Sequence, residues 1–372
     1  MNLTPFRIEV SDAVLDDLHE RLARTRSLPD SPRKPQSGMS AAYLSDLVAS
    51  WSDFDWRERE RWLNGHPQFT AEIDGATVHF AHLPSMDAAA PALLVMHGWP
   101  HTFALQLDFA DLLPDFHVVV PSFPGFGFSS PYADRPVTET NLAHTAHALM
   151  TEVLGYDSYL TYGEDVSANV NDLIAATRSD HVLGIIATHA HFPSMAEREL
   201  LTEPDQVAFF KRLAAAHHPD GGYGHIQATR PDTLAAALND SPAGLIAWLA
   251  EKLVEWSDTP VGEPAVVEER ISRDRILTEA MIYWVTESIG TSFRPYYEGA
   301  DQPDSIPPVD VPAAVFIQKR EGDYPESLAR SYYRDLRVFE RLDEGGHFAV
   351  AEVPEAMSTR VRAFAREIGA LR

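Results

Sequence analysis

The sequence predicts an α/β fold, a mostly parallel sheet into which a mostly helical segment is inserted. Three observations carry this. The apolar runs Ala92–Met96 and His117–Val120 lack the alternation of half-exposed strands and suit parallel strands covered on both faces. Helix-like stretches near 104–113 and over 168–178 separate the strands, as right-handed crossovers require. From about Pro193 to Ser305 the pattern turns helical, and strand character resumes at Val311–Ile317.

Taken in order, Ser11 can cap an amphipathic helix over 11–24, with Val14, Leu15, Leu18 and Leu22 at helical spacing. A Pro- and Ser-rich connector, 29–40, leads to a second amphipathic segment through Tyr43, Leu44, Leu47 and Trp51. Two alternating segments, 69–73 and 76–80, flank Asp74-Gly75, which is a hairpin signal. The run Tyr159–Thr161 is the next strand, and Val182–Ala187 is another. Within the insertion Ser241-Pro242 opens a clear helix, Ser as the cap and Pro at the first helical position, with Leu245, Ile246, Leu249, Leu253 and Trp256 on one face. A strand-like Arg337–Phe339 and a helix from Glu355 close the chain. The expected organisation is an N-terminal segment, 1–68, wrapping a core of 69–192 and 306–372, with 193–305 as a helical cap.

At 372 residues and 45% hydrophobic, the chain can bury a substantial core. A formal net charge of -25 argues against nucleic acid and anionic membrane as partners, since both would repel it. With no cysteine there is no disulfide, thiolate metal site or Cys nucleophile. The N-terminus lacks a signal-peptide pattern, and no stretch approaches the ~20 apolar residues that span a bilayer. A soluble, cytoplasmic protein is expected.

The chemistry centres on Tyr162-Gly163-Glu164-Asp165-Val166-Ser167. Gly163 and Ser167 flank Asp165 at minus two and plus two, the small-x-nucleophile-x-small pattern of a tight strand-to-helix turn. A carboxylate there attacks an electrophilic carbon directly and leaves an ester for water to cleave. The expected chain order is nucleophile, acid, histidine. His347, in Glu344-Gly345-Gly346-His347-Phe348, suits the base that deprotonates that water. Glu321 and Asp323 both fit the acid that orients it, and Glu321 is favoured. Met96-His97-Gly98-Trp99-Pro100 follows a strand, so the N–H groups of Trp99 and Val166 suit an oxyanion hole. His189 and His191 alternate at a strand end, but two ligands make a weak zinc site and no third is apparent, so a structural or pocket-lining role is expected. Gly125-Phe126-Gly127 lacks the third glycine of a dinucleotide fingerprint, and no cofactor or metal is expected.

Together, His97-Gly98-Trp99-Pro100, Pro124–Ser129, the Asp165 elbow, Gly222–Gln227, Leu238–Pro242 and Gly345–Phe348 resemble epoxide hydrolases of the microsomal type. Phe6-Arg7-Ile8 and the segment around Leu18, Arg21 and Thr25 resemble that family's N-terminal meander. The resemblance covers nearly the whole chain. It implies an α/β-hydrolase core, Asp165 as nucleophile, His347 as base, Glu321 as acid and two cap tyrosines as proton donors. Tyr223 matches the first tyrosine; for the second Tyr296 fits better than Tyr297. Val166 and Ser167 replace the Trp-Gly of many relatives, a departure that is not read as loss of function and that leaves the shape of the pocket floor open. The implied partners are a small apolar or aryl epoxide and water, with a homodimer left open. Two rivals stand beside this reading. Hydrolytic dehalogenation also uses an Asp nucleophile but needs halide-binding donors, and the paired tyrosines argue against it. A retired hydrolase fold that only binds a small ligand has no chemical demand to keep Asp165, His347 and both tyrosines.

Overall fold

The computed structural model describes residues 3–32, 38–215, 221–299 and 306–372. The middle of the expected 29–40 connector and the last residues of the expected cap lie outside the described residues. Nine strands form one sheet: β1 (Thr4–Phe6), β2 (Gln68–Ile73), β3 (Ala76–Leu83), β4 (Ala92–Met96), β5 (His117–Pro121), β6 (Tyr159–Gly163), β7 (Val182–Ala187), β8 (Val309–Ile317) and β9 (Tyr333–Arg341). Their order is β1-β2-β3-β5-β4-β6-β7-β8-β9. The first four in that row pair antiparallel and the rest pair parallel. The fold is that of the α/β-hydrolases.

The Asp74-Gly75 turn closes the β2–β3 hairpin with both residues at positive φ, 55° and 79°, as a two-residue turn between right-twisted strands demands. β4, β5 and β6 are buried along their whole length, which explains their unbroken apolar runs. Ser11 and Ser241 cap their helices as expected, accepting from Val14 N–H and Gly244 N–H. The expected 104–113 helix is two pieces, a 3₁₀ turn Phe103–Gln106 and a helix Leu107–Asp111. The helix after β6 begins at Val166, two residues earlier than its apolar pattern indicates. Among the described residues, helices additional to the reading outside the expected cap include Trp56–Leu63, Glu139–Ala148, Glu326–Tyr332 and Ala349–Glu352. Between β7 and β8 the described residues hold helices but no strand, and Pro242–Trp256 packs against Arg273–Thr286 and against Ala41–Ser52 of the N-terminal segment.

This topology brings the C-terminal ends of β4, β6, β7, β8 and β9 to one edge. That is where side chains beyond parallel strands converge on a ligand.

Candidate active site

Asp165 follows β6 directly and precedes the helix Val166–Thr177, at φ 55° and ψ -125°. A non-glycine residue in that region stores roughly 1–3 kcal/mol of strain, which the surroundings must offset. They do so through close backbone contact. A Cβ at Gly163 would press into the Ser167 carbonyl and lie 2.8 Å from Asn171 Cβ. A Cβ at Gly98 would lie 2.5 Å from Asp165 Oδ1. Ser167 Oγ donates to the Met96 carbonyl at 3.0 Å and accepts Glu164 N–H at 2.8 Å, tying the elbow to the end of β4. The small residues read from the sequence are therefore steric requirements.

Trp99 N–H donates to Asp165 Oδ1 at 2.7 Å, and Val166 N–H also bonds the carboxylate. The other oxygen, Oδ2, is 3.1 Å from His347 Nε2. His347 Nδ1 is 3.2 Å from Glu321 Oε1. Glu321 ends a 3₁₀ turn, Lys319–Glu321, just beyond β8, and His347 lies in the loop after β9. Arg320 N–H reaches the Gly345 carbonyl at 3.3 Å, joining those two loops. Asp323, the other candidate acid, is exposed and pairs with Arg212. The choice between them is one of reach, two residues along a loop.

The His347 loop is held from below. Glu352 accepts Gly346 N–H at 3.0 Å, Phe348 N–H at 3.1 Å and Asp258 N–H at 2.7 Å. His347 N–H donates to the Trp256 carbonyl at 2.8 Å. A Cβ at Gly346 would fall 2.5 Å from that same oxygen, so glycine is needed for the loop to pass.

Charge in the site follows from these contacts. Burial alone would raise the Asp165 carboxyl, but the hydrogen bond and charge of His347, with the Trp99 and Val166 N–H groups, hold it below its ordinary value. Burial lowers His347, yet Asp165 and Glu321 together outweigh it and lift the imidazole to about 10. Glu321 sits well below the usual carboxylate range, since the bonds from His189 and His347 overcome its burial. The site at rest is an imidazolium between two carboxylates.

Tyr223 and Tyr296 face this group from the helical segment. The Tyr223 ring stacks on Trp99 with centroids 5.4 Å apart and planes 8° apart. The Tyr223 and Tyr296 rings are 6.0 Å apart. Burial, then the Asp165 charge and the neighbouring Tyr223, push the Tyr296 phenol well above its ordinary value, so it keeps its proton. Tyr297, the fallback, is 51% exposed. Trp256 closes the wall, its ring 5.0 Å from Tyr223 and 4.9 Å from His347.

Sequence reasoning missed two things. Trp256 was read only as one residue of an apolar helix face. His189 is more than a pocket lining, and it has parted company with His191. His191 lies under Tyr332 with Nδ1 3.5 Å from Asp172. His189 joins Glu321 and His347, three donor atoms within 4.8 Å of one another, the one such group among the described residues. The third partner absent from its neighbourhood in sequence comes from the loops after β8 and β9. These atoms are already committed to one another by hydrogen bonds, so we read them as a bonded unit. Position at the end of a parallel strand was the available signal for His189.

An aspartate on a strand-to-helix elbow, a histidine and an acid after the last strands and a helical segment above them make up a candidate site on an α/β-hydrolase fold. The chain belongs to the epoxide hydrolases of the microsomal type, which are hydrolases acting on ether bonds. The family model for the epoxide hydrolase N terminus matches residues 3–105, and that for the alpha/beta hydrolase fold matches 91–231. The chain is 31% identical to epoxide hydrolase 1 of Sus scrofa, over 98% of this chain and 88% of that protein. A relative from Stigmatella aurantiaca bearing the same family name is 33% identical over 99% of this chain and 86% of its own. Among solved structures, the juvenile hormone epoxide hydrolase of the silkworm Bombyx mori superposes with a TM-score of 0.88 at 27% identity, over 99% of this chain and 95% of that one. The Aspergillus niger epoxide hydrolase does so at 0.85 and 28%, over 99% and 97%. Among the described residues no helix is long and apolar enough to cross a membrane.

Proposed function

We propose that this chain converts an apolar or aryl epoxide to a vicinal diol through an ester on Asp165. The observation that carries the reading is the placement of the two Asp165 oxygens: Oδ1 on the Trp99 N–H at 2.7 Å and Oδ2 facing His347 at 3.1 Å. Oδ2 attacks one epoxide carbon, and that carbon's bond to the ring oxygen breaks. The oxygen takes a proton from Tyr223 or Tyr296, which supplies the acid that an alkoxide leaving group needs. Water then attacks the ester carbonyl while His347 Nε2 takes its proton and Glu321 steadies the ring. The oxyanion forms on Oδ1, between the Trp99 and Val166 N–H groups, and collapses to release the diol and restore the carboxylate, while the proton held by His347 makes good, through solvent, the one the tyrosine gave up.

The rings of Trp99, Trp256, Phe293, Tyr223 and Tyr296 pack around this point, which favours an apolar substrate. In this reading residues 193–305 are a lid carrying both tyrosines and 1–68 a brace packed against it.

Intact-mass analysis of His347→Ala after exposure to a panel of aryl and alkyl epoxides tests the scheme. The expected result is a gain equal to one epoxide, mapped to Asp165, because the base that frees the ester is gone. Folded variant with no adduct from any epoxide, while the unmodified protein turns the same panel over, would exclude the ester route.

A further inference from the structure

His189 sits on the other side of the base from the substrate, and three contacts define its hydrogens. Its Nδ1 accepts the backbone N–H of Asp165 at 3.4 Å. An amide N–H can only donate, so Nδ1 is bare and the proton of the neutral ring is on Nε2. That Nε2 is 3.5 Å from Glu321 Oε1 and 3.0 Å from His347 Nδ1. When His347 also holds its Nδ1 proton, the 3.0 Å contact sets one N–H against another, and Glu321 Oε1 is the acceptor within reach of both; the two rings lie 4.3 Å apart. A carboxylate oxygen has lone pairs for both.

This arrangement bears on a conflict in the site. Two carboxylates at 3.1 and 3.2 Å hold His347 as the cation, and a cation cannot deprotonate water. Ester formation removes one of them, since Asp165 becomes neutral. Glu321 remains and still favours the proton. A second N–H on Glu321 disperses its charge, and the positive end of the His189 N–H dipole faces the ring that would be positive. Both effects disfavour the imidazolium relative to the free base.

We propose that His189 is a positioning residue that shares Glu321 with His347 and thereby eases release of the His347 proton once the ester has formed. The inference rests on the ester route above. The other groups facing His347 are accounted for. Asp165 is neutral in the ester; Glu352 bonds the flanking backbone; Trp256 covers the ring, with the Lys252 ammonium 5.8 Å from the Trp256 centroid. Tyr223 and Tyr296 bring phenols, and Tyr296 keeps its proton. Glu164, next to the nucleophile, is within range of the His189 ring and bonded to Tyr162 Oη at 2.6 Å.

The test compares His189→Phe, which removes both nitrogens, with His189→Gln, whose amide can accept from Asp165 N–H and donate to Glu321. His347 is titrated by NMR of its labelled ring in an Asp165→Asn background, where the neutral amide stands for the ester. His189→Phe should move the His347 midpoint upward by about one pH unit, since one hydrogen-bond donor to its counter-ion is lost. The acid limb of single-turnover ester hydrolysis should move up with it, because the free base is what works. The rate of Asp165 alkylation should not follow the same limb. His189→Gln should hold the midpoint within a few tenths of a unit of the original. A Phe variant with an unmoved midpoint, or a Gln variant that moves as far as Phe, overturns the proposal. If Phe does not fold, His189→Leu makes the same comparison. The titration needs no substrate, so its failure is separable from failure of the epoxide reading, which would leave the midpoint shift intact and yield no diol.

Discussion

The two halves of the site are built by different means. On the sheet side, Asp165, Glu321 and His347 are placed by main chain: a strained φ of 55° at Asp165, N–H groups on its carboxylate, and glycines where a Cβ would collide. On the helical side, Tyr223 and Tyr296 are placed by side chains, through a stack on Trp99 and edge contacts with Trp256 and each other. Aromatic contacts of that kind are worth about 0.5–1.5 kcal/mol each beyond the area they bury. The difference teaches where tolerance lies. A misplaced backbone has nowhere to relax, while a repacked ring can. Under the proposed scheme a nucleophile needs one geometry, whereas proton donors can adjust to the shape of the substrate.

The strongest way to break this comparison is Gly98→Ala. The new methyl group would stand 2.5 Å from Asp165 Oδ1, so either the carboxylate leaves the Trp99 N–H or the β4 end shifts. Loss of an aligned oxyanion donor costs about 10²–10³ in rate, and displacement of the nucleophile adds to it. Turnover should fall by at least that factor, with alkylation and hydrolysis both impaired in single-turnover kinetics. A variant with near-normal turnover would show that the backbone approach is not what places the nucleophile.

The helical side should yield a smaller and divided effect. Tyr223→Phe or Tyr296→Phe leaves one phenol to donate, and general acid catalysis of this kind is worth roughly 10²–10⁴ in total. Each single variant should slow alkylation by about tenfold to a hundredfold, and the double variant by far more, with ester hydrolysis spared. A single variant as damaging as the pair would assign all the proton donation to one ring.

The same division explains what the sequence made legible. Runs such as Leu93-Leu94-Val95 announce buried parallel strands because both faces are covered, and Asp74-Gly75 announces a hairpin because few pairs accept two positive φ angles. Asp165 and His347 were legible for the same reason, since the backbone geometry demands small neighbours that stand out as Gly163, Gly345 and Gly346. The three-residue β1 carries too short a pattern to detect, and the eight-residue Trp56–Leu63, rich in Arg and Glu, has only Trp56 and Leu63 as its buried face, too few apolar positions to mark a helix. For His189 only its place at a strand end was legible, because its partner His347 is 158 residues away. Trp256 faces the site only because its helix turns that residue toward Tyr223 and His347. Residues positioned by backbone constraint leave local marks in a sequence; those positioned by tertiary contact do not.

The most direct test of the central claim, that Asp165 is the nucleophile, is a single turnover with enzyme in excess over a turned-over epoxide in ¹⁸O-water. An ester route predicts that the first diol carries no ¹⁸O, because its new oxygen comes from Asp165, and that the peptide containing Asp165 gains one ¹⁸O. A first diol already labelled, with an unlabelled Asp165 peptide, would mean that water attacks the epoxide directly and would contradict the account.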